Sequence, residues 1–362
     1  VEGNKIPAIS INLELAEKIL EDTSKPLTID MTPQEVDNPD YGELSSFTNW
    51  GLSAGGYMKP DITAPGGHIY STQTTLDTGS TFGDMSGTSM ATPHVTGAVG
   101  VIRGRLNELL FAGVEHKAAL TKTILMNSAV PHVDPVTRQT TSPRRQGAGI
   151  MNLTRASKLD FTVVDKDTKI ASKFVGNVDN EITLNLTIHN YSDSAKTLTP
   201  SVQATIEAHD GKKLLLRPGE LFSRTYEEKK VTVPAQSEVE YTITFPIEHM
   251  ELVKPFTNGA FVEGFLHLRD QDGMEVSFPF VSFKGEYETI PSIEKPVYDF
   301  DFETEKPMYW DYDFKKNSWF KYSTHLETIQ GSFEYNGKTY NNIVVAGIKN
   351  FAEIDKTKNT TA

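Results

Sequence analysis

The 362-residue chain contains no cysteine. That one absence excludes disulfide bridges, thiolate metal sites and a cysteine nucleophile together, and it leaves the fold to be held by its core, with or without metal ions. Nowhere does an apolar run approach the roughly 20 residues that a membrane-crossing helix requires, and the mean hydropathy is -0.37. Basic residues are scarce, with 35 Lys and Arg against 48 Asp and Glu, a net charge of -13. Nucleic-acid affinity rests on clustered Lys and Arg, so a phosphate-binding role is disfavoured; the acidic surface serves solubility first. The chain opens at Val1, without an initiator Met or the basic-then-apolar pattern of a signal peptide, and reads as a processed piece. Its length exceeds one ordinary core and fits two or three domains.

Residues 1–30 read as the tail of an α/β unit, with an apolar strand from Ile6 to Ile11 and a helix from Leu13 to Leu20. The charged stretch Thr32 to Asp40 then marks a boundary. Over 31–160 the pattern becomes short strands, Gly-rich turns and two helices. Ile62 to Ala64 and Ile69 to Ser71 flank the Pro65-Gly66-Gly67 turn as short strands. The helical period of Ala91, Val95, Ala98, Val99, Ile102 and Leu106 predicts a helix from Ser89 to Leu110, its small residues set tightly against a sheet; a second helix fits His116 to Asn127. From 161 to 290 the period is two: Ile182, Leu184, Leu186 and Ile188 alternate with polar residues, as do Val239, Tyr241, Ile243 and Phe245, predicting a β-sandwich. A Pro-rich acidic linker from Pro291 to Pro307 leads into a further β domain over 291–362, where Asn336-Gly337 fits a tight hairpin turn.

The densest chemical signal is Met85-Ser86-Gly87-Thr88-Ser89-Met90-Ala91-Thr92-Pro93-His94-Val95-Thr96-Gly97. A Gly-rich turn here delivers the Ser89 hydroxyl to a helix N-terminus, where free N–H groups and the helix dipole favour developing negative charge. The Ser89 backbone N–H is thereby a candidate oxyanion donor. Turn and helix alone fit an ordinary N-cap serine equally well. The nucleophile elbow of α/β-hydrolases, Gly-x-Ser-x-Gly, is not matched, because Ala91 occupies its last position.

The run Gly87-Thr88-Ser89-Met90-Ala91 with Pro93 resembles the nucleophile signature of the subtilisin family, and two other segments agree with it in order. Upstream, Ser46 to Gly51 and Lys59 to Gly66 resemble the strand pair before the nucleophile; downstream, Ile124 to Ala129 and Gln146 to Asn152 resemble the closing helices. The β region, with Phe278 to Gly285, is similar to the fibronectin-type domain of large Gram-positive cell-envelope subtilases. The resemblance implies an α/β subtilisin-like fold (its C-terminal part, with a mostly parallel sheet) over 31–160, preceded by the end of a protease-associated insert and followed by fibronectin type III-like all-β sandwich domains.

It further implies a serine endopeptidase working through an acyl-enzyme on Ser89, with Asp, His and an oxyanion Asn N-terminal to the nucleophile. No matching His or Asn context is found in this chain. Asp77-Thr78-Gly79 matches the family's Asp motif only superficially, lying 12 residues before Ser89. His94 lies five residues past Ser89, on another helix face, and His68 and His132 read as surface residues. The implied partner is therefore an N-terminal fragment of the same peptidase that carries the Asp and His. Protein substrates, among them host chemokine or complement proteins, and an exported, wall-anchored parent follow from the resemblance. No cofactor is expected for catalysis. Structural calcium is left open, although the acidic turns at Asp165, Asp167 and Asp210-Gly211 lack ordered ligand spacing and read as solvated. The alternative is an inert binding or adhesion fragment whose β domains carry the function.

Overall fold

The structure is a computed structural model that describes residues 13–21, 41–53, 56–72, 81–108, 117–209, 214–253, 256, 259–287, 310–313, 318–321, 328–335 and 338–344. The expected strand from Ile6 to Ile11, Asp77-Thr78-Gly79, Asp210-Gly211 and the Pro291 to Pro307 linker lie outside these residues. The chain divides into two units, 1–41 and 42–362. The first holds helix α1 (Leu13–Glu21), where the sequence places one.

The second unit begins with a two-stranded antiparallel hairpin, β1 (Ile69–Thr72) and β2 (Phe82–Met85). Helices α2 (Thr88–Glu108) and α3 (Lys117–Asn127) follow, both within a few residues of their expected bounds. Two short helices, α4 (Pro143–Gln146) and α5 (Leu153–Ala156), close the segment, capped by the Ser142 and Asn152 side chains. Among the described residues of this segment, parallel pairing shows as a single bridge from Thr63 to Ile150.

The β region is a sandwich. One sheet joins β3 (Phe161–Asp165), β5 (Glu181–Asn190) and β9 (Ser237–Pro246). The other runs in the order β4 (Lys173–Val178), β11 (Glu275–Lys284), β10 (Ala260–Arg269), β6 (Lys196–His209) and β7 (Leu214–Thr225), with β8 (Val231–Val233) also paired to β6. Strand β5 follows the alternation read from sequence, Ile182, Leu184, Leu186 and Ile188 all being buried. Phe245 and Phe280 meet in the core at 5.5 Å between ring centres. Farther along, β12 (Trp310–Asp313) pairs with β13 (Ser318–Lys321), and β14 (Thr328–Tyr335) with β15 (Lys338–Val344). The last pair places Tyr335 opposite Lys338, around the expected Asn-Gly turn.

Strands β10 and β11 break the alternation, because nearly every residue in them is buried. Their inner face feeds the sandwich core through Val262, Leu266, Phe278 and Phe280. Their outer face is covered by the preceding segment: Met58 packs with Phe261, Val281 and Phe283. Arg144 crosses the same seam, donating from Nε and Nη2 to the two Glu263 carboxylate oxygens at 2.9 Å each, with its guanidinium 3.8 Å from the Phe261 ring centre. Asn127, fully buried at the end of α3, adds a second tie by donating to the Ser277 carbonyl at 3.2 Å and accepting from the Val163 N–H at 2.8 Å. Lys196 adds a third, bridging Asp160 at 3.0 Å and Asp270 at 2.8 Å.

Glu275 lies at the far end of the sandwich sheet, held by Arg269 at 2.7 Å, His267 at 3.4 Å and Arg155 at 3.2 Å. Burial alone would raise its pKa, but His267 and Arg269 outweigh burial and bring it down to about 2. A carboxyl lowered on folding contributes stability above its unfolded pKa, near 4.5, and loses that contribution as pH falls toward about 2. Melting temperatures followed over this acid range will drop more steeply for the wild type than for Glu275→Gln. At the seam, Arg144→Met strands a buried Glu263 charge and will lower unfolding free energy by about 3–5 kcal/mol in denaturant titration.

Candidate functional site

Ser89 sits in the first turn of α2, exposed to solvent. Two hydrogen bonds fix the turn that presents it: the Gly87 N–H donates to the Gly66 carbonyl at 2.8 Å, and the His68 N–H donates to Ser86 Oγ at 2.9 Å. Gly66 is required by this close approach, since a Cβ there would stand 2.9 Å from the Gly87 carbonyl oxygen. The Met90 and Ala91 N–H groups both return to the Gly87 carbonyl, at 3.0 and 3.3 Å. The Ser89 N–H has no hydrogen bond to another described residue, and it stands at the positive end of a 21-residue helix. Pro93 has no N–H to offer the Ser89 carbonyl one turn back, while Thr92 Oγ1 donates to the Thr88 carbonyl at 2.9 Å. The arrangement presents a hydroxyl and a free donor side by side, as acyl transfer requires.

Among the described residues, no imidazole is hydrogen-bonded to Ser89. His94 turns away and donates from Nδ1 to the Met90 carbonyl at 2.9 Å. His68 is exposed and pairs with Asp84 at 3.3 Å across the β1–β2 hairpin. His132 departs from the surface position expected of it: it is buried, its Nε2–H donating to the Gly42 carbonyl at 2.6 Å while Nδ1 accepts from Thr141 Oγ1 at 2.7 Å. One Ser–His–Glu cluster occurs in the sandwich, but Ser277 and Glu275 both approach His267 Nδ1 and Ser277 is fully buried, so it has no hydrolytic geometry.

The motifs before and after Ser89 in sequence are tied to each other. Thr63 exchanges backbone hydrogen bonds with Gly149 and Met151, both at 2.9 Å, and the Ala148 N–H donates to the Asp61 carbonyl at 3.0 Å. Gly147, at φ +65°, allows this contact, because a Cβ there would lie 2.5 Å from Asp61 backbone atoms. Gln146, fully buried, ties the preceding loop by accepting from the His132 N–H at 2.6 Å and donating to the Thr141 carbonyl at 2.5 Å. Burial would raise the Asp61 carboxyl, but hydrogen bonds from Lys122 and Lys59 hold it below its usual value.

Helix α2 departs from expectation in its surroundings. Ala98 and Ile102 are buried, yet a Cβ added at Gly97, Gly100 or Gly104 would meet nothing within 4 Å outside the helix's own backbone, and Val99 and Val101 are exposed. The hairpin beside it exposes Tyr70, Phe82 and Met85. Asp165 also differs from the solvated turn expected: it is buried, bonded to Lys173 at 2.9 Å and to the Thr168 N–H at 2.8 Å, so protein donors occupy its carboxylate. Among the described residues, no group of three or more His, Asp or Glu is placed to hold a metal ion.

Comparison with known proteins supplies the family. Residues 22–149 match the family described as the subtilase family, and residues 174–281 match an Fn3-like domain. The C5a peptidase of Streptococcus pyogenes serotype M1 is 31% identical over 302 residues, covering 82% of this chain and 25% of the relative. The PIII-type proteinase of Lactococcus lactis subsp. cremoris SK11 is 31% identical over 284 residues, covering 72% of this chain and 14% of the relative. The chain thus spans about a quarter or less of the length of these relatives. Among solved structures, the sporulation control protein of Bacillus subtilis matches 35% of the chain at 15% identity with a TM-score of 0.23, too low to carry an argument. Residues 22–149 of this chain belong to the subtilase family of serine peptidases, and an Fn3-like domain follows them.

Proposed function

We propose that this chain is the nucleophile-bearing part of a subtilisin-type serine endopeptidase of the cell-envelope class. Ser89 Oγ attacks the scissile carbonyl, its own N–H shares the developing oxyanion charge, and an acyl-enzyme forms and is hydrolysed. The observation that carries this reading is an exposed Ser89 in the first turn of a long helix, within a segment that matches the subtilase family. The general base and its Asp come from an N-terminal part of the same peptidase, which also covers the open small-residue face of α2 and the exposed apolar side chains of the β1–β2 hairpin. Those uncovered residues support that placement, because apolar surface beside a reactive group ordinarily has a partner. The sandwich braces the nucleophile segment through the Arg144–Glu263 seam.

The substrate is a protein. The relatives named C5a peptidase and PIII-type proteinase favour a secreted, wall-associated parent acting on extracellular proteins, with host complement or chemokine proteins as the first to try. A fluorophosphonate probe separates the parts of this reading. The chain alone will label no more than its Ser89→Ala variant, whereas the chain combined with the relative-matched N-terminal part will label strongly and only when Ser89 is present. Absence of Ser89-dependent labelling in the combined protein would overturn the proposal in favour of an inert binding fragment.

A further inference from the structure

The seam between the peptidase segment and the sandwich gathers more charge than its pairings use. Three guanidinium groups, Arg144, Arg145 and Arg217, meet four carboxylates, Glu43, Asp134, Glu207 and Glu263. Arg144 is spent on Glu263, and Arg217 takes Asp134 at 2.7 Å and Glu43 at 3.2 Å. Arg145 donates to the Leu44 carbonyl at 3.3 Å and lies 5.6 Å from the Trp50 ring centre, but its buried Nε has no partner among the described residues. Glu207, on β6, is the carboxylate left over: its closest cation is Arg144 Nη2 at 4.0 Å, and its buried Oε1 is likewise without a partner. Arg145 and Glu207 both line one cavity of about 10 Å³, the threshold for a single water molecule.

We propose that this seam is a proton-linked clamp, in which Glu207 carries a proton while the sandwich is seated and one water in the cavity joins its carboxyl to the Arg145 Nε–H. With Glu207 neutral, three cations face three carboxylates and no buried charge is left over. Ionised, Glu207 is a largely covered anion without a close partner for its buried Oε1, which low-dielectric surroundings penalise. The groups facing it pull in both directions, and those that favour the proton prevail. Burial raises its pKa most, Glu263 on β10 raises it further, and Arg144 and Arg145 around α4 only partly oppose them, leaving it at about 7. Arg217 on β7, which also lines the cavity, is already committed to Asp134 and Glu43. A group whose pKa is raised in the closed seam favours closure at low pH and loses that contribution as pH rises through about 7. The clamp therefore holds the sandwich to the nucleophile segment in mildly acidic surroundings and loosens above neutrality, whether or not Ser89 is catalytic.

Hydrogen exchange on the full chain tests it, with amide protection compared at pH 5 and pH 8 after correction for intrinsic rates. In the wild type, opening of the peptides covering 141–146 and 203–208 will rise on the order of 50-fold across this interval, each pKa unit between closed and open seam being worth tenfold. Glu207→Gln, fixed neutral, will show a flat response. Should that variant fail to fold, infrared titration of the wild type gives an independent reading: a protonated-carboxyl band must persist at pH 6 and vanish by pH 8. Equal wild-type protection at both pH values, an unchanged pH response in Glu207→Gln, or a wild type without that band would each overturn the clamp.

Discussion

The two-point ion pair between Arg144 and Glu263 is the constraint around which this structure is arranged. It joins a short helix of the peptidase segment to a central strand of the sandwich, 119 residues away in sequence. Each ion is nearly sealed from water, so neither is tolerable alone. The pair therefore demands that the two regions stay docked, and the docking explains why β10 and β11 are buried on both faces. Asn127 and Lys196 repeat the logic on a smaller scale: Asn127 bonds the Ser277 carbonyl and the Val163 N–H, and Lys196 holds Asp160 together with Asp270. The segment that carries Ser89, the proposed nucleophile, is thus connected to the Fn3-like domain by buried polar contacts and not by a linker alone.

Local pattern was legible in the sequence wherever one periodicity governed. Helices α1, α2 and α3, the alternating β5 and β9 strands and the Asn-Gly hairpin all followed from spacing and turn chemistry. The Ser89 turn was legible because a short, dense motif encodes it. What spacing does not carry is the identity of distant partners. Nothing near Arg144 marks it as the mate of Glu263, and nothing in the sequence distinguishes a buried His132, satisfied at both ring nitrogens, from an exposed one. Asp165 misled for the same reason, since an acidic turn looks solvated until Lys173 on the next strand closes it.

The surroundings of α2 were the larger departure. Its small residues read as a surface for tight packing, yet of these Ala98 is buried while Gly97 and Gly100 have open space beside them, and Tyr70 and Phe82 of the hairpin that leads into the Ser89 turn are exposed. Ser89 is likewise exposed and without a base among the described residues. Under the proposed function, one N-terminal part of the same peptidase both covers these residues and supplies the base. Because the matched relatives are about four or more times the length that this chain covers, such a part has a natural source.

The most direct measurement is mass spectrometry of the protein from its natural source, run intact under non-denaturing conditions and again after denaturation. The account predicts that the polypeptide bearing Ser89 is continuous with, or stably bound to, a segment carrying the catalytic Asp and His. Finding the 362-residue chain alone, as a stable monodisperse species, would contradict it.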